Sequence, residues 1–225
     1  LACLTPQTTL CLHIIEPEFW LQPDTSGRQF DFYIECLSEL KTACKQLNIP
    51  LCIRIGKVLD ILKSIHAHTP ITSLYSYQET GNNWTFERDK HIKKWGSDQK
   101  ISWVEPKQFS VIRGLKDRDG WSKKWASFMN TPINPLKMNG TFKQLTSDSI
   151  PSKHALGIKT DLCNLRQIGG RTHALKQLES FFNTRGCFYT QEMSSPITAP
   201  EACSRLSPYI TFGCISLKEI HLYSQ

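Results

Sequence analysis

The sequence predicts an α/β protein with a parallel sheet, followed by a helical segment. Short apolar runs of strand length alternate with amphipathic helical patterns through the first half of the chain. This alternation is typical of parallel sheets, and we expect the connections to be right-handed crossovers. Beyond about residue 170 the strand-like runs stop, and closely spaced helix-start signals take their place.

Four apolar runs are predicted to form the strands. The first, LCLHII at residues 10–15, has no polar alternation and suits a strand buried on both faces. The other three runs cover residues 51–55, 71–77 and 101–104.

Helices are predicted between these strands. After cap candidates at residues 24–26, apolar side chains recur at three- and four-residue spacing over 27–47, and Asn48 and Pro50 end the pattern. A shorter helical pattern starts at residue 58, and another covers 84–95.

The basic stretch that follows contains Trp121 and Trp125, which share one helical face. Lys123 and Lys124 beside them could follow a phosphate backbone, with the aromatic rings interleaved as in nucleic-acid binding. A tryptophan pair at this spacing is more often an anchor into a core, and we favour that interpretation. A connection rich in proline and glycine then leads to a helix predicted over residues 170–186.

Three helix-start signals lie close together near the end of the chain, at Thr198, Ser207 and Ser216. Helix N-termini offer free amide groups and a favourable dipole to anions, so this segment could cradle a phosphate. The hydroxyl of Ser204 and the guanidinium of Arg205 would add donors. The alternative is an ordinary helical corner with well-capped helices.

Composition narrows the class of protein. Hydrophobic residues make up 40% and charged residues 21% of the 225 residues, as in folded globular proteins. No apolar run is long enough to span a membrane, and the nine cysteines form no C-x-x-C pair. We therefore expect a cytoplasmic protein with reduced thiols, no membrane association and no zinc site.

The positive charge is concentrated in the middle of the chain. Residues 81–160 carry 15 basic and 7 acidic side chains, whereas residues 1–80 carry 6 and 8. A local excess of this kind suits an anionic partner such as nucleic acid, although a solvated helix surface would also account for it.

The segment CSRLSPYITFGCIS, residues 203–216, resembles the flavin-phosphate motif of the DNA photolyase/cryptochrome family, T-S-x-L-S-P-x-L-x-x-G-x-I/L-S. Upstream, Tyr189 and Pro196 keep a tyrosine–proline spacing that is typical of the family. The resemblance implies that FAD is the cofactor. It assigns flavin contacts to Tyr189, Ser204, Leu206 and Ser207, with Arg205 lying between them and Cys203 standing where the family usually has threonine.

The first part of the chain resembles the doubly wound, Rossmann-like antenna domain of the same family, in which a folate or a deazaflavin can bind. LYSYQETGNNWTFERDKHIKKW, residues 74–95, is similar to the family's fourth strand and the helix after it. LACLTP, residues 1–6, would be the end of the first helix, and the family's first, central strand has no counterpart. The resemblance makes Glu105 a candidate antenna contact, although this residue could merely end a strand.

Taken together, the sequence and the resemblance predict a fragment with both ends cut. We expect an α/β domain over residues 1–130, a linker over 131–168 and the start of a helical FAD domain over 169–225. The implied function is light-driven repair of DNA containing pyrimidine dimers by an electron from excited reduced FAD. A cryptochrome photoreceptor without repair activity is the rival. We expect a monomer, and we expect the fragment alone to be inactive.

Overall fold

The structure is a computed structural model that describes residues 7–108, 111–133 and 140–225. The predicted helix end at residues 1–6 therefore lies outside the described residues. The strands are β1 (Cys11–Ile15), β2 (Leu51–Ile55), β3 (Ser73–Tyr75) and β4 (Ser102–Val104). The helices are α1 (Pro17–Trp20), α2 (Gly27–Gln46), α3 (Val58–His68), α4 (Asn83–Asp98), α5 (Trp121–Met129), α6 (Arg171–Asn183), α7 (Tyr189–Glu192), α8 (Ala199–Ala202), α9 (Ser207–Thr211) and α10 (Leu217–Tyr223).

This order confirms the predicted α/β architecture followed by helices. The Ser26 hydroxyl accepts the N–H of Gln29 at the start of α2, so one of the three cap candidates is the N-cap. Asn48 has a φ of 58° just after α2, where the chain turns toward β2. The third strand is shorter than predicted and covers only Ser73–Tyr75 of the apolar run 71–77.

The strands form two separate parallel pairs. β1 pairs with β2, and β3 pairs with β4. Within each pair the strands are parallel, as in a doubly wound sheet. Among the described residues, no strand joins β1 to β3 to make a single sheet. Both strands instead line one groove of about 900 Å³.

The hydrogen bonds show which edges face this groove. Gly56 donates its N–H to the carbonyl of Ile15, so Ile15 and alternate residues of β1 face β2. Ser76 donates to Val104, so Leu74 and alternate residues of β3 face β4. The backbone groups of the intervening residues therefore point into the groove, where nothing in the described ranges pairs with them.

Helix α2 is the element around which both cores are built. One side packs into the strand-side cluster, which consists of Ile15, Trp20, Phe30, Leu37, Ile53 and Ile158. The opposite side places Phe32 in the helix-side cluster, which consists of Phe32, Ala174, Leu178, Leu206, Tyr209, Cys214 and Ile215. The ring of Phe212 contacts both clusters, so α2 ties the strands to the later helices.

The part of the predicted linker around Asp148 packs along the outer edge of β2. Asp148 donates its N–H to the carbonyl of Ile53 and accepts the N–H of Ile55 through Oδ2. Further on, a Cβ on Gly27 would lie only 2.3 Å from the carbonyl oxygen of Lys159, so this approach requires glycine. The connection is thus fixed to β2 and α2.

The helix predicted over residues 170–186 ends earlier, at Asn183. A 3-10 turn, Arg185–Phe188, follows it and includes Gly186. A Cβ on Gly186 would lie 2.7 Å from the carbonyl oxygen of Phe181, so glycine is needed here for close packing.

Candidate functional site

Residues 203–207 form a sharp turn between α8 and α9. Cys203 is extended after the end of α8, and Arg205 adopts a φ of 55°, in the left-handed region. Leu206 returns to helical dihedrals, and α9 begins at Ser207. The N-terminal end of α9, where Pro208 has no N–H, and the side chains of the turn therefore lie together at one corner of the molecule.

The backbone of this turn is held from both sides. Arg185 donates through Nη1 to the carbonyl of Cys203, and Gln167 donates through Nε2 to the carbonyl of Arg205 at 2.9 Å. The side chain of Leu206 is buried in the helix-side cluster. Five residues of the turn were predicted to contact the flavin. Of these, Leu206 is thus the one whose side chain fixes the backbone of the turn.

The polar side chains of the turn remain available to a ligand. Ser207 is exposed, and Ser204 and Arg205 are half-buried. Within the described residues, no hydrogen bond engages the two hydroxyls or the guanidinium. Two hydroxyls, a cation and a helix start fit the donor set that binds phosphate.

Tyr189 lies at the same corner of the molecule. It begins α7, directly after the 3-10 turn that carries Arg185, and both elements pack against α8. The Tyr189 ring meets Phe181 edge-on at 6.2 Å and is 41% exposed. The roles predicted for Tyr189 and residues 203–207 remain predictions.

The three helix-start signals have different outcomes. Ser216 forms the predicted capping box with Glu219, and both reciprocal hydrogen bonds are present. Thr198 occupies the N-cap position of α8, but its hydroxyl bonds Glu192 and does not cap. The N-cap predicted at Ser207 is displaced by one residue, because Leu206 is the N-cap and Ser207 is the first residue of α9.

Glu105 lies just after β4. Its carboxylate accepts Nη1 of Arg113 at 3.0 Å, and its side chain is 20% exposed. Arg113 also donates to the carbonyl of Glu79. The guanidinium of Arg113 is therefore engaged within the protein.

Arg88 is the centre of the neighbouring charged network. It donates to Glu16 at 2.8 Å and to Asp89 at 2.9 Å, and Glu79 lies 3.7 Å away. Burial raises the pKa of the Glu16 carboxyl, although hydrogen bonds from Arg88 and from the Val58 N–H oppose the shift.

This network lies where the strands β1, β3 and β4 end. Glu16, Glu79, Arg88 and Asp89 line the groove between β1 and β3. The chain leaves β1 toward β2 on one side and reaches β3 on the other, and crevices at such points are the usual ligand sites of α/β sheets. Glu105 adjoins this crevice through Arg113.

The sequence did not predict two of the residues that hold the backbone of the turn at residues 203–207. Arg185 and Gln167 act on backbone carbonyls 18 and 38 residues away. Contacts of this kind leave no local spacing pattern in the sequence.

In the basic segment that contains the tryptophan pair, the ring of Trp125 and the neighbouring lysines face different surroundings. Trp125 packs edge-on against His221 of α10 at 5.5 Å, as a core anchor would. Lys123 and Lys124 on the same helix are exposed. The ring of Trp125 thus serves packing, while the charges face outward.

Two further findings concern the described residues as a whole. They contain no group of three or more histidine, cysteine or acidic side chains that could hold a metal ion. None of their helices combines the length and the apolar composition needed to cross a membrane.

The chain is similar to known proteins in sequence and in fold. Residues 2–112 match the family model described as DNA photolyase. Cryptochrome-1 of Rattus norvegicus is 25% identical over 94% of this chain and 40% of its own length. The chloroplastic/mitochondrial cryptochrome DASH of Arabidopsis thaliana is 23% identical over 97% of this chain and 41% of its own length. The chain thus spans about two fifths of these relatives.

Two solved structures share the fold. A bacterial class III photolyase from Agrobacterium tumefaciens superposes with a TM-score of 0.71 and 16% identity, over 97% of this chain and 47% of its own. An archaeal photolyase from Sulfolobus tokodaii, whose structure holds two FAD molecules, gives a TM-score of 0.69 and 18% identity, over 97% of this chain and 49% of its own.

Proposed function

Because this chain belongs to the photolyase/cryptochrome family, we propose that it is part of a FAD-dependent, light-driven DNA repair enzyme. The reaction is the splitting of pyrimidine dimers in DNA. The observation that carries the proposal is the turn at residues 203–207, where partner-free hydroxyls, a cation and the start of α9 lie together.

In this proposal the turn binds the FAD phosphates. Ser204 and Ser207 donate their hydroxyl protons to phosphate oxygens, Arg205 supplies positive charge, and Tyr189 contacts the cofactor from α7. The thiol of Cys203 is a weaker donor than the hydroxyl found there in most of the family. When bound, reduced FAD supplies the photoexcited electron that opens the dimer.

The groove between β1 and β3 is the proposed place for an antenna chromophore, a folate or a deazaflavin. Glu105 would contact it from beside the groove, and Arg113 holds that carboxylate in position. In this proposal Glu105 has two roles, because the carboxylate that contacts the chromophore also binds Arg113 at the end of β4.

The alternative is a cryptochrome photoreceptor that keeps the flavin and signals without repairing DNA. The curated relatives named above are cryptochromes, which favours this alternative, whereas the solved neighbours are photolyases.

A repair assay on the protein encoded by the complete reading frame separates the two. Blue light should remove pyrimidine dimers from DNA in the presence of the flavin-loaded protein, and no removal should occur in the dark. A protein that carries flavin without removing dimers would establish the cryptochrome alternative, and one that binds no flavin would overturn both.

The phosphate role of the turn has its own test in the same protein. Ser204→Ala and Ser207→Ala should each weaken FAD binding about tenfold or more, since a hydrogen bond to a charged group contributes about 1.5–3 kcal/mol. Ser122→Ala, at an exposed position of α5, is the matched control and should leave FAD affinity unchanged. Unchanged affinity in both turn variants would remove the turn from the flavin site.

A further inference from the structure

Two thiols meet where α2 contacts the helical segment. The Sγ atoms of Cys36 and Cys214 lie 3.3 Å apart, although the two residues are 178 positions apart in the sequence. Cys36 is on α2, and Cys214 is in the turn between α9 and α10. The pair thus spans the junction between the strand-bearing part of the chain and the later helices.

The backbone around the pair brings the sulfur atoms together. Gly170 donates its N–H to the Sγ of Cys36 at 3.2 Å, and a Cβ on Gly169 would lie 2.8 Å from the same sulfur atom. On the other side, Gly213 has a φ of 70°, and Cys214 donates its N–H to the carbonyl of Tyr209. Both cysteines are therefore fixed by well-packed turns.

The contact shifts the pKa values of the two thiols in opposite directions. The close contact with the Cys36 sulfur lowers the pKa of the Cys214 thiol to about 7, although burial opposes the shift. The same contact, together with burial, raises the pKa of Cys36. Since the thiolate is the form that oxidants attack, Cys214 is the expected first site of reaction.

We propose that Cys36 and Cys214 form a redox modification site, which a small two-electron oxidant such as hydrogen peroxide converts into a disulfide between α2 and the α9–α10 turn. A small oxidant is needed because Cys214 is only 9% exposed. Cys214 lies in the segment that resembles the flavin motif, but neither cysteine is among the residues assigned to flavin contacts, and the proposal does not depend on those contacts.

The reaction proceeds in two steps. The Cys214 thiolate attacks hydrogen peroxide, so that an S–O bond forms, the O–O bond breaks and hydroxide leaves. The Sγ of Cys36 then attacks the Sγ of Cys214, the S–S bond forms, and the hydroxyl leaves as water with the Cys36 proton. The two thiols together lose two electrons to peroxide. The sulfur atoms must close from 3.3 Å to about 2.05 Å.

A proteolytic cut in the exposed connection reads out the bond directly. Leu162 and Leu165 are each 90% exposed and lie outside regular structure between the two cysteines. The folded protein is treated with peroxide, its remaining thiols are alkylated, and the chain is then cut at these leucines. On a denaturing gel without reductant the two fragments should stay together, and they should separate when reductant is added.

Single variants identify the partners. In Cys36→Ser and in Cys214→Ser the fragments should separate even without reductant. Cys44→Ser, on the same helix and also half-buried, should behave like the unchanged protein. Mass spectrometry should find one linked peptide pair that contains Cys36 and Cys214. Separation in the unchanged protein, or linkage that persists in Cys36→Ser, would overturn the proposal.

Discussion

Glu35 is the carboxylate on α2 that holds the end of the connection against the helix. It accepts Nη2 of Arg166 at 2.6 Å, Nη1 at 2.9 Å and the N–H of Gly169 at 2.7 Å. Burial raises its pKa, but the hydrogen bonds from Arg166 and Gly169 outweigh this effect and leave the pKa below its ordinary value of 4.5.

The lowered pKa gives Glu35 a predictable pH dependence. The pair contributes its full stabilisation above pH 4.5, and that contribution is lost as the pH falls through the lower pKa of the folded state. Glu35→Gln should cost about 1–2 kcal/mol at pH 7, because the partly buried carboxylate loses three charge-assisted bonds. Urea unfolding at pH 7 and at pH 3 measures this difference.

The matched control is Glu87→Gln, which removes the exposed pair with Lys90 on α4. An exposed pair of this kind contributes little, so the variant should stay within about 0.5 kcal/mol of the unchanged protein. If the two variants lost equal stability at pH 7, or if the deficit of Glu35→Gln persisted at pH 3, the Arg166–Glu35 account would be wrong.

A serine lies at the start of each of the helices α9 and α10, and the two serines have different roles. Ser216 caps α10 with its hydroxyl, whereas the Ser207 hydroxyl has no partner among the described residues. Ser216→Ala should therefore destabilise the protein by about 1 kcal/mol, and Ser207→Ala should change its stability by less than about 0.5 kcal/mol. Thermal melts of both variants test this, and the reverse order would contradict the assignment of caps.

Local patterns predicted most of these elements because their causes are local. The Ser216–Glu219 box and the apolar stripe of α2 can be recognised within a few residues of sequence. The N-cap of α9 was displaced because the left-handed Arg205 shifts the helix start by one position, and the sequence gives no sign of that dihedral. Arg185, Gln167 and the Cys36–Cys214 contact depend on how distant segments pack, so spacing could not reveal them.

At the scale of the whole molecule, the two strand pairs face each other across a groove with unpaired edges. The alternation of hydrogen bonds directs the N–H groups of Leu12 and Ile14 in β1, and of Ser73 and Tyr75 in β3, into this groove. These amides should exchange with deuterium faster than those of His13, Ile15 and Leu74, which face a partner strand. Equal protection on both edges, measured by NMR, would show that another strand occupies the groove.

The outward charge of the middle segment leads to a prediction about DNA. Of its basic side chains, eight are exposed and make no ion pair within the described residues: Lys93, Lys100, Lys107, Lys116, Arg118, Lys123, Lys124 and Lys159. The net-acidic segment of residues 1–80 offers no comparable excess. We therefore expect the middle segment to carry the electrostatic part of DNA association.

Counterion release makes this expectation measurable. The logarithm of the DNA association constant should fall linearly with the logarithm of salt concentration, by about 0.9 for each phosphate neutralised. Lys123→Gln should weaken binding to all sequences alike and reduce that slope by about one unit if Lys123 contacts a phosphate. Lys63→Gln, at an exposed position of α3 in the net-acidic segment, is the control and should leave the slope unchanged. An affinity independent of salt, or a slope that Lys63→Gln reduces as much as Lys123→Gln does, would assign the excess charge to solvation and not to DNA.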